Sequence, residues 1–362
     1  MNPTDGVRCM LMRGGSSKGA YFMADDLPTD PAERDALLLR IMGSPDPRQI
    51  DGLGGAHPLT SKVAIVGPAA DASNDLDYLF LQLGVGEALV SDRQNCGNLL
   101  AGVAPFALER GLLTAPDEGG DATVLARILM RNTSSVATAG FAVRDGRPVY
   151  HGDTSISGVP GTAAPVRLDF EDIAGATCGA LLPTGTTCDR VAGIDCTLVD
   201  NGMPVVVLRA DALGVTGYES CAELEANREL RDRLEAVRLA AGPLMGLGDV
   251  TDTTVPKLTM VAPPRDGGTL CTRTFIPHRC HDAIGVLGAV SVATAAALPG
   301  SPANEVLGGE PTGSFLLEHP TGTFEAAIEF GPGADGPVVE RAGIIRTARK
   351  LMDGTVFPRE YH

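Results

Sequence analysis

At 362 residues the chain is long for one compact unit and suits two domains, and its 44 % hydrophobic and 20 % charged residues exclude extensive disorder. A net charge of −16 disfavours nucleic acid and an anionic membrane surface, since both are held by clustered Lys and Arg. The same charge repels an anionic substrate, so any site for one must gather its cations locally. Eight cysteines without a CxxC pair read as reduced thiols, not as a disulfide framework or a zinc site. No basic segment followed by an apolar run opens the chain, and a cytoplasmic location is expected.

Along the chain, the glycine and hydroxyl loop RGGSSKG (13–19) leads into an apolar strand ending in an Ala-Asp turn, KGAYFMADDL (18–27). Asp30 then precedes a helix over 31–42, with an acidic residue early and Leu and Ile at helical spacing. A glycine turn, GLGGAHPLTSKVAIVGP (52–68), delivers Lys62 to the entrance of a second apolar strand. QNCGN places Cys96 just before an apolar helix over 99–108. Residues 121–170 alternate polar and apolar side chains as hairpin strands do.

The same landmarks then return in the same order. PVVVLRADAL (204–213) follows DNGM as KGAYFMADDL follows RGGSS, and a helix is expected over 223–241. GLGDVTDTTVPKLTMVAPP (246–264) sets Lys257 where the first copy has Lys62, and RCHDAIGVLGAVSVAT (279–294) sets Cys280 against Cys96. The apolar run 283–298 falls short of the ~20 residues a bilayer needs and reads as a buried helix.

Two tandem copies of one α+β unit result, each with a mainly antiparallel curved sheet enclosing an apolar helix, because a helix apolar on all sides must be covered. The Pro and Gly stretch LLPTGTTCDR (181–190) places the junction near Leu182, giving domains at 1–181 and 182–345. The last segment, 346–362, is expected to form a strand and turn that packs back on the first domain.

Chemistry concentrates at four places. Cys96 stands at a helix start, where free backbone N–H groups stabilise a thiolate or bind an anion, and Gly97 permits close approach. Lys62 stands where partial burial would favour a neutral amine able to take a proton. The RGGSSKG loop offers N–H and hydroxyl donors to a carboxylate and lacks the spacing of a P-loop. CTRTFIPHRCH (271–281) gathers Arg273, His278, Arg279 and His281, which supplies the missing positive charge; its adjacent His and Cys cannot all face one metal ion. No nucleotide, flavin or calcium motif appears in proper context, so no cofactor is expected.

Taken together, MRGGSSKGAYF, MGSPDPRQIDGLGG, LTSKVAIV, QNCGNLLAGVAPFALERGL, DNGMPVVVL, LGDV and FIPHRCHDAIGVLGAVSVAT resemble the PrpF family of 2-methylaconitate isomerases and 4-oxalomesaconate tautomerases over nearly the whole chain. The sequence looks closest to the 4-oxalomesaconate enzymes of aromatic acid catabolism. The resemblance implies the diaminopimelate epimerase-like fold and a metal-free, cofactor-free proton shift, with Lys62 and Cys96 as the acid and base pair. Substrate contacts are then expected from Arg13, Ser16, Ser17, Lys18 and Ser61, from Asn95, Gly97 and Asn98 around the cysteine, from Met203, and from Arg273, Arg279 and His281. Cys280 is expected to be a relic of the second catalytic cysteine of related epimerases. The substrate class is a small tricarboxylate, and both allylic isomerisation and keto–enol tautomerism fit it. A 2-methylaconitate isomerase, an amino-acid epimerase and a non-catalytic carboxylate-binding protein are the alternatives. No self-complementary patch is visible, and a homodimer is the expectation only because twofold assembly is common.

Overall fold

The computed structural model describes residues 6–92, 95–116, 120–171, 173–308, 313–333 and 336–360. The chain divides into two compact units, Met1–Asp169 with Ile345–His362, and Phe170–Ile344. The boundary thus falls at Asp169 and Phe170, ahead of the Pro and Gly stretch near Leu182, which lies inside the second unit.

In the first unit, strands β1 (Val7–Gly14) and β2 (Ser17–Met23) form a hairpin, helix α1 (Pro31–Met42) follows, and β3 (Lys62–Pro68) pairs in parallel with β2. Next come β4 (Leu76–Leu83), antiparallel to β3, the short β5 (Val90–Ser91), helix α2 (Gly97–Glu109), and the hairpin of β6 (Asp121–Met130) and β7 (Ser135–Arg144). β8 (Arg147–Pro148) follows, and β9 (Pro165–Glu171) runs across the boundary at Asp169.

Helix α1 occupies the span expected of it for local reasons. Asp30 accepts a hydrogen bond from the N–H of Glu33, Pro31 takes the first helical position, and Gly43 ends the helix in the left-handed conformation at φ 81°. The sheet is buried on both faces, which is why β3 reads as a continuous apolar run. Phe22, Val63, Ile65, Leu81 and Leu83 pack with Leu38, Ile41 and Met42 of α1. Because strand side chains alternate, Tyr21, Lys62, Ala64, Tyr78, Phe80 and Gln82 face the other way, and the buried hydroxyls of Tyr21 and Tyr78 reach α2. Every residue of α2 from Leu99 to Leu108 is buried.

The second unit repeats this order. It contains β10 (Asp189–Val191), β11 (Ile194–Asp200), β12 (Pro204–Arg209), helices α3 (Cys221–Ala226) and α4 (Arg228–Leu244), β13 (Lys257–Ala262), β14 (Leu270–Ile276) and β15 (Arg279–Cys280). Helices α5 (Val286–Ala297) and α6 (Pro302–Leu307), then β16 (Ser314–His319) and β17 (Gly322–Gly333), follow. The parallel pair β12/β13 brings Val205 opposite Lys257 as β2/β3 brings Gly19 opposite Lys62. The single helix expected over 223–241 is two, because Asn227 interrupts it and caps α4 by accepting from Leu230 N–H.

The last strand, β18 (Gly336–Val356), pairs with β17 up to Ile344, and its residues 348–356 pair antiparallel with β1. The final segment is therefore one continuous strand without the expected turn. Among the described residues no helix is long and apolar enough to cross a membrane.

Candidate active site

One face of β4 supports both Lys62 and Cys96. Lys62 is only 7 % exposed, and its Nζ donates to Oε1 of Gln82 at 2.7 Å and lies 5.0 Å from the centre of the Phe80 ring. The Gln82 amide cannot turn to offer its nitrogen, because Nε2 donates to the carbonyls of Ser61 at 3.0 Å, Pro58 at 3.2 Å and Leu83 at 3.2 Å. Ser61 is itself fully buried, and its one hydroxyl hydrogen is shared between Gln49 Oε1 at 2.8 Å and the His57 carbonyl at 2.9 Å, which anchors the entry to β3.

Four residues back on the same face, Tyr78 donates its hydroxyl to the Cys96 carbonyl at 3.3 Å. Cys96 is the N-cap residue of α2, nearly buried, and its side chain makes no capping bond to the first N–H groups of the helix. Tyr21 donates to the Leu99 carbonyl at 2.5 Å. That approach requires Gly102, where a Cβ would come within 2.5 Å of the Tyr21 hydroxyl. Burial first, and the neighbouring Cys96 second, push both phenols well above their usual range, so they act as fixed donors.

The glycine loop presses on the same helix start. A Cβ on Gly14 would meet the Asn98 carbonyl at 2.5 Å, and Gly15 adopts φ +51°, so neither position tolerates a side chain. Asn98 Nδ2 donates to Ser16 Oγ at 3.3 Å, and Asn95 Nδ2 to Thr133 Oγ1 at 2.6 Å. Gln94, beside Asn95, lies outside the described residues. Gly97 opens α2 and is half-buried.

Arg13, Ser16, Ser17 and Lys18 line a cavity of about 620 Å³, together with Thr60, Tyr150, His151, Thr347, Arg349 and Lys350. This volume suits a small molecule. Arg13 Nη1 donates to the carbonyls of Gly15 and Thr347 and to Thr347 Oγ1, all within 3.0 Å, which holds the guanidinium at the cavity wall. The Ser17 hydroxyl is buried without a hydrogen-bond partner among the described residues.

In the second unit the expected cation cluster is otherwise engaged. Arg273 donates from Nε to the Glu219 carbonyl at 2.9 Å and from Nη1 to the Thr272 carbonyl at 2.9 Å and Cys271 Sγ at 3.4 Å. Arg279 pairs with Glu225 at 3.2 Å on the surface, and His278 approaches Glu235 at 3.7 Å. His281 accepts at Nδ1 from the Ala283 N–H, and burial followed by Lys257 lowers its pKa. Met203 offers its carbonyl to Ser291 Oγ at 2.7 Å. Arg273 is thus a buried structural cation and Arg279 a paired surface one. The positive charge that the sequence placed at 271–281 gathers instead around Arg13.

The expected equivalence of Cys280 and Cys96 also changes. Cys280 lies in β15, paired with β14 as β5 pairs with β4, and its sulfur is in the apolar core of the unit. The residue that caps α5 as Cys96 caps α2 is Gly285. Cys280 is therefore no relic of a helix-start thiol. A Cβ on Gly285 would lie 3.7 Å from Lys257 Nζ, so the second unit keeps a lysine at its helix start, capped by a glycine and not by a cysteine. Among the described residues no three His, Cys, Asp or Glu side chains form a metal-binding group.

Sequence reasoning missed Tyr21, Tyr78, Phe80, Gln82 and Arg349. A signal for β4 was present, since LDYLFLQL sets Tyr78 and Gln82 on one face of a strand whose other residues, Asp77 apart, are apolar.

Two α+β units, each a sheet around an apolar helix and one carrying a buried lysine and a helix-start cysteine, make this chain an isomerase of the diaminopimelate epimerase-like fold. It belongs to the PrpF family, which it matches over residues 5–359. It is 57 % identical over 357 residues to the (4E)-oxalomesaconate Delta-isomerase of Novosphingobium sp. strain KA1, covering 98 % of each chain. It is 54 % identical to the 4-oxalomesaconate tautomerase of Pseudomonas putida, covering 97 % of this chain and 95 % of the other. The crystal structure of a methylitaconate-delta-isomerase superposes with a TM-score of 0.88 at 34 % identity, covering 98 % of this chain and 96 % of that one.

Proposed function

We propose that the protein is a cofactor-independent isomerase that shifts a proton along the allylic system of 4-oxalomesaconate, with Lys62 and Cys96 as the proton-transfer pair. The observation that carries this reading is the single face of β4 that holds both groups, Gln82 the amine and Tyr78 the cysteine carbonyl. The two 4-oxalomesaconate relatives favour this substrate over a shorter tricarboxylate.

In this mechanism Lys62 takes a proton from carbon beside the unsaturated keto acid. The resulting dienolate is stabilised by the N–H groups at the start of α2, aimed where negative charge develops. Cys96 delivers a proton to the far allylic carbon, so the double bond moves with no change in composition. Return of the proton to oxygen would instead be keto–enol tautomerism, the reaction in the name of the P. putida relative. The reading goes with a cytoplasmic enzyme of small-molecule catabolism.

Proton NMR of the enzyme with 4-oxalomesaconate in deuterated water tests it. Migration of the vinylic signal with deuterium entering at the new sp³ carbon is expected. Exchange without migration would establish tautomerism, and no reaction at all would overturn the assignment.

A further inference from the structure

Across the β1/β2 hairpin Arg13 stands opposite Lys18, and across the β1/β18 ladder the same Arg13 stands opposite Arg349. Residues directly opposite in antiparallel strands share a face, and like charges so placed repel. Three cations therefore sit abreast on neighbouring strands, all lining the 620 Å³ cavity. A bound anion would relieve that repulsion.

Several other arginines of this acidic chain are paired with acids. Arg8, Arg110, Arg131, Arg144, Arg190 and Arg209 each meet an aspartate within 3.2 Å. By contrast, the side chains of Lys18 and Arg349 have no hydrogen-bond or ion-pair partner among the described residues, although acidic residues outnumber basic ones 45 to 29. Among the described residues the lining of the cavity includes no Asp or Glu. Lys350, the fourth cation there, is neutralised by Glu109.

We propose that Arg349, with Arg13 and Lys18, is the specificity element of this enzyme, a cation row that takes the third carboxylate of the substrate and so selects tricarboxylates over dicarboxylates. The inference rests on the reading of the protein as a polycarboxylate isomerase. Arg13, fixed by Thr347, supplies a preset guanidinium, and exposed Arg349 closes on the other side of the carboxylate. A planar guanidinium can take both oxygens, which a lysine cannot. The C-terminal strand thereby joins the site, and the unspent Ser17 hydroxyl is a further donor at the wall.

The test is calorimetric titration of the full-length protein with tricarballylate, an unreactive tricarboxylate, and glutarate, the same carbon chain without the central carboxylate. Wild type should bind tricarballylate the more tightly by about tenfold or more, the size expected for a charged hydrogen-bonding pair. Arg349→Gln should lose that preference while glutarate affinity changes by less than about twofold, and Arg349→Lys should restore part of it. In turnover Arg349→Gln should raise KM by more than it lowers kcat. A wild type without preference, or an Arg349→Gln variant that keeps it, overturns the proposal. Failure of 4-oxalomesaconate turnover with the preference intact would remove the substrate assignment and leave the cation row standing.

Discussion

The two units are built on one plan and have been furnished differently at the same point. Lys62 and Lys257 both open the third strand of the repeat and lie at equivalent register against β2 and β12. In the first unit the strand that follows presents Tyr78, Phe80 and Gln82 to the helix start, whereas β14 sets Ile276 where the first unit has Gln82, as the pairs Val63 with Leu81 and Leu258 with Phe275 show. The helix caps differ likewise, Cys96 against Gly285. Each unit thus carries a lysine at the same strand position, and among the described residues the first also has a glutamine acceptor for the amine and a cysteine at the helix cap.

The largest effects should come from breaking that asymmetry. Lys62→Ala and Cys96→Ala are each expected to lower kcat by about a thousandfold, within the range of lost acid–base catalysis, with melting temperature little changed. Lys257→Ala should cost far less, and equal loss at both lysines in an ultraviolet assay of double-bond migration would end the comparison.

Gln82→Leu comes next. Removing the acceptor leaves the amine in place without a direction, so kcat should fall about tenfold to a hundredfold with KM nearly constant. Because Gln82 acts through Lys62, its loss should cost little further activity in a Lys62→Ala background, whereas a purely structural defect would add its own loss.

Lys257 sharpens the contrast through stability. Burial lowers its pKa below the usual 10.5, so the folded state penalises the ammonium. Its contribution is then fully present above 10.5, where the unfolded lysine is also neutral, and is lost as pH falls through the folded value. Lys257→Met should therefore melt higher than wild type near neutral pH, and the gain should vanish at about pH 10.5, as read by circular dichroism. A gain independent of pH would point to packing instead.

The smallest effect belongs to Tyr78→Phe, which removes one buried hydrogen bond to the Cys96 carbonyl. About 1 kcal/mol of stability should be lost in urea unfolding, with kcat reduced a few-fold at most.

Much of this was legible in the residues because the signals were local. Asp30, Pro31 and Gly43 bound α1 through chemistry within one turn, and the glycines of RGGSS announce a close approach without saying to what. The repeated lysine could be found because it is tied to an apolar strand of the same register in each copy. The alignment of Cys280 with Cys96 failed for the opposite reason. Both are followed by an apolar helix, but the second helix starts at Val286, and only the pairing of β15 with β14 shows that Cys280 belongs with β5. Likewise, CTRTFIPHRCH reads as a cation cluster along the chain, while in three dimensions Arg273 turns to main-chain carbonyls and Arg279 to Glu225.

What the sequence by itself determined is the duplicated α+β plan, the enclosed apolar helices, the family, and the lysine and cysteine to which chemistry is assigned. These follow from periodicity, turn chemistry and motif order, which are properties of short stretches. The tertiary structure alone decided where the positive charge collects. Arg13, Lys18 and Arg349 come from three strands, one of them more than three hundred residues away in the chain, and only hydrogen-bond register sets them side by side. The support of Lys62 by Gln82 was decided in the same way, since strand alternation says which side chains share a face and only pairing says what they face.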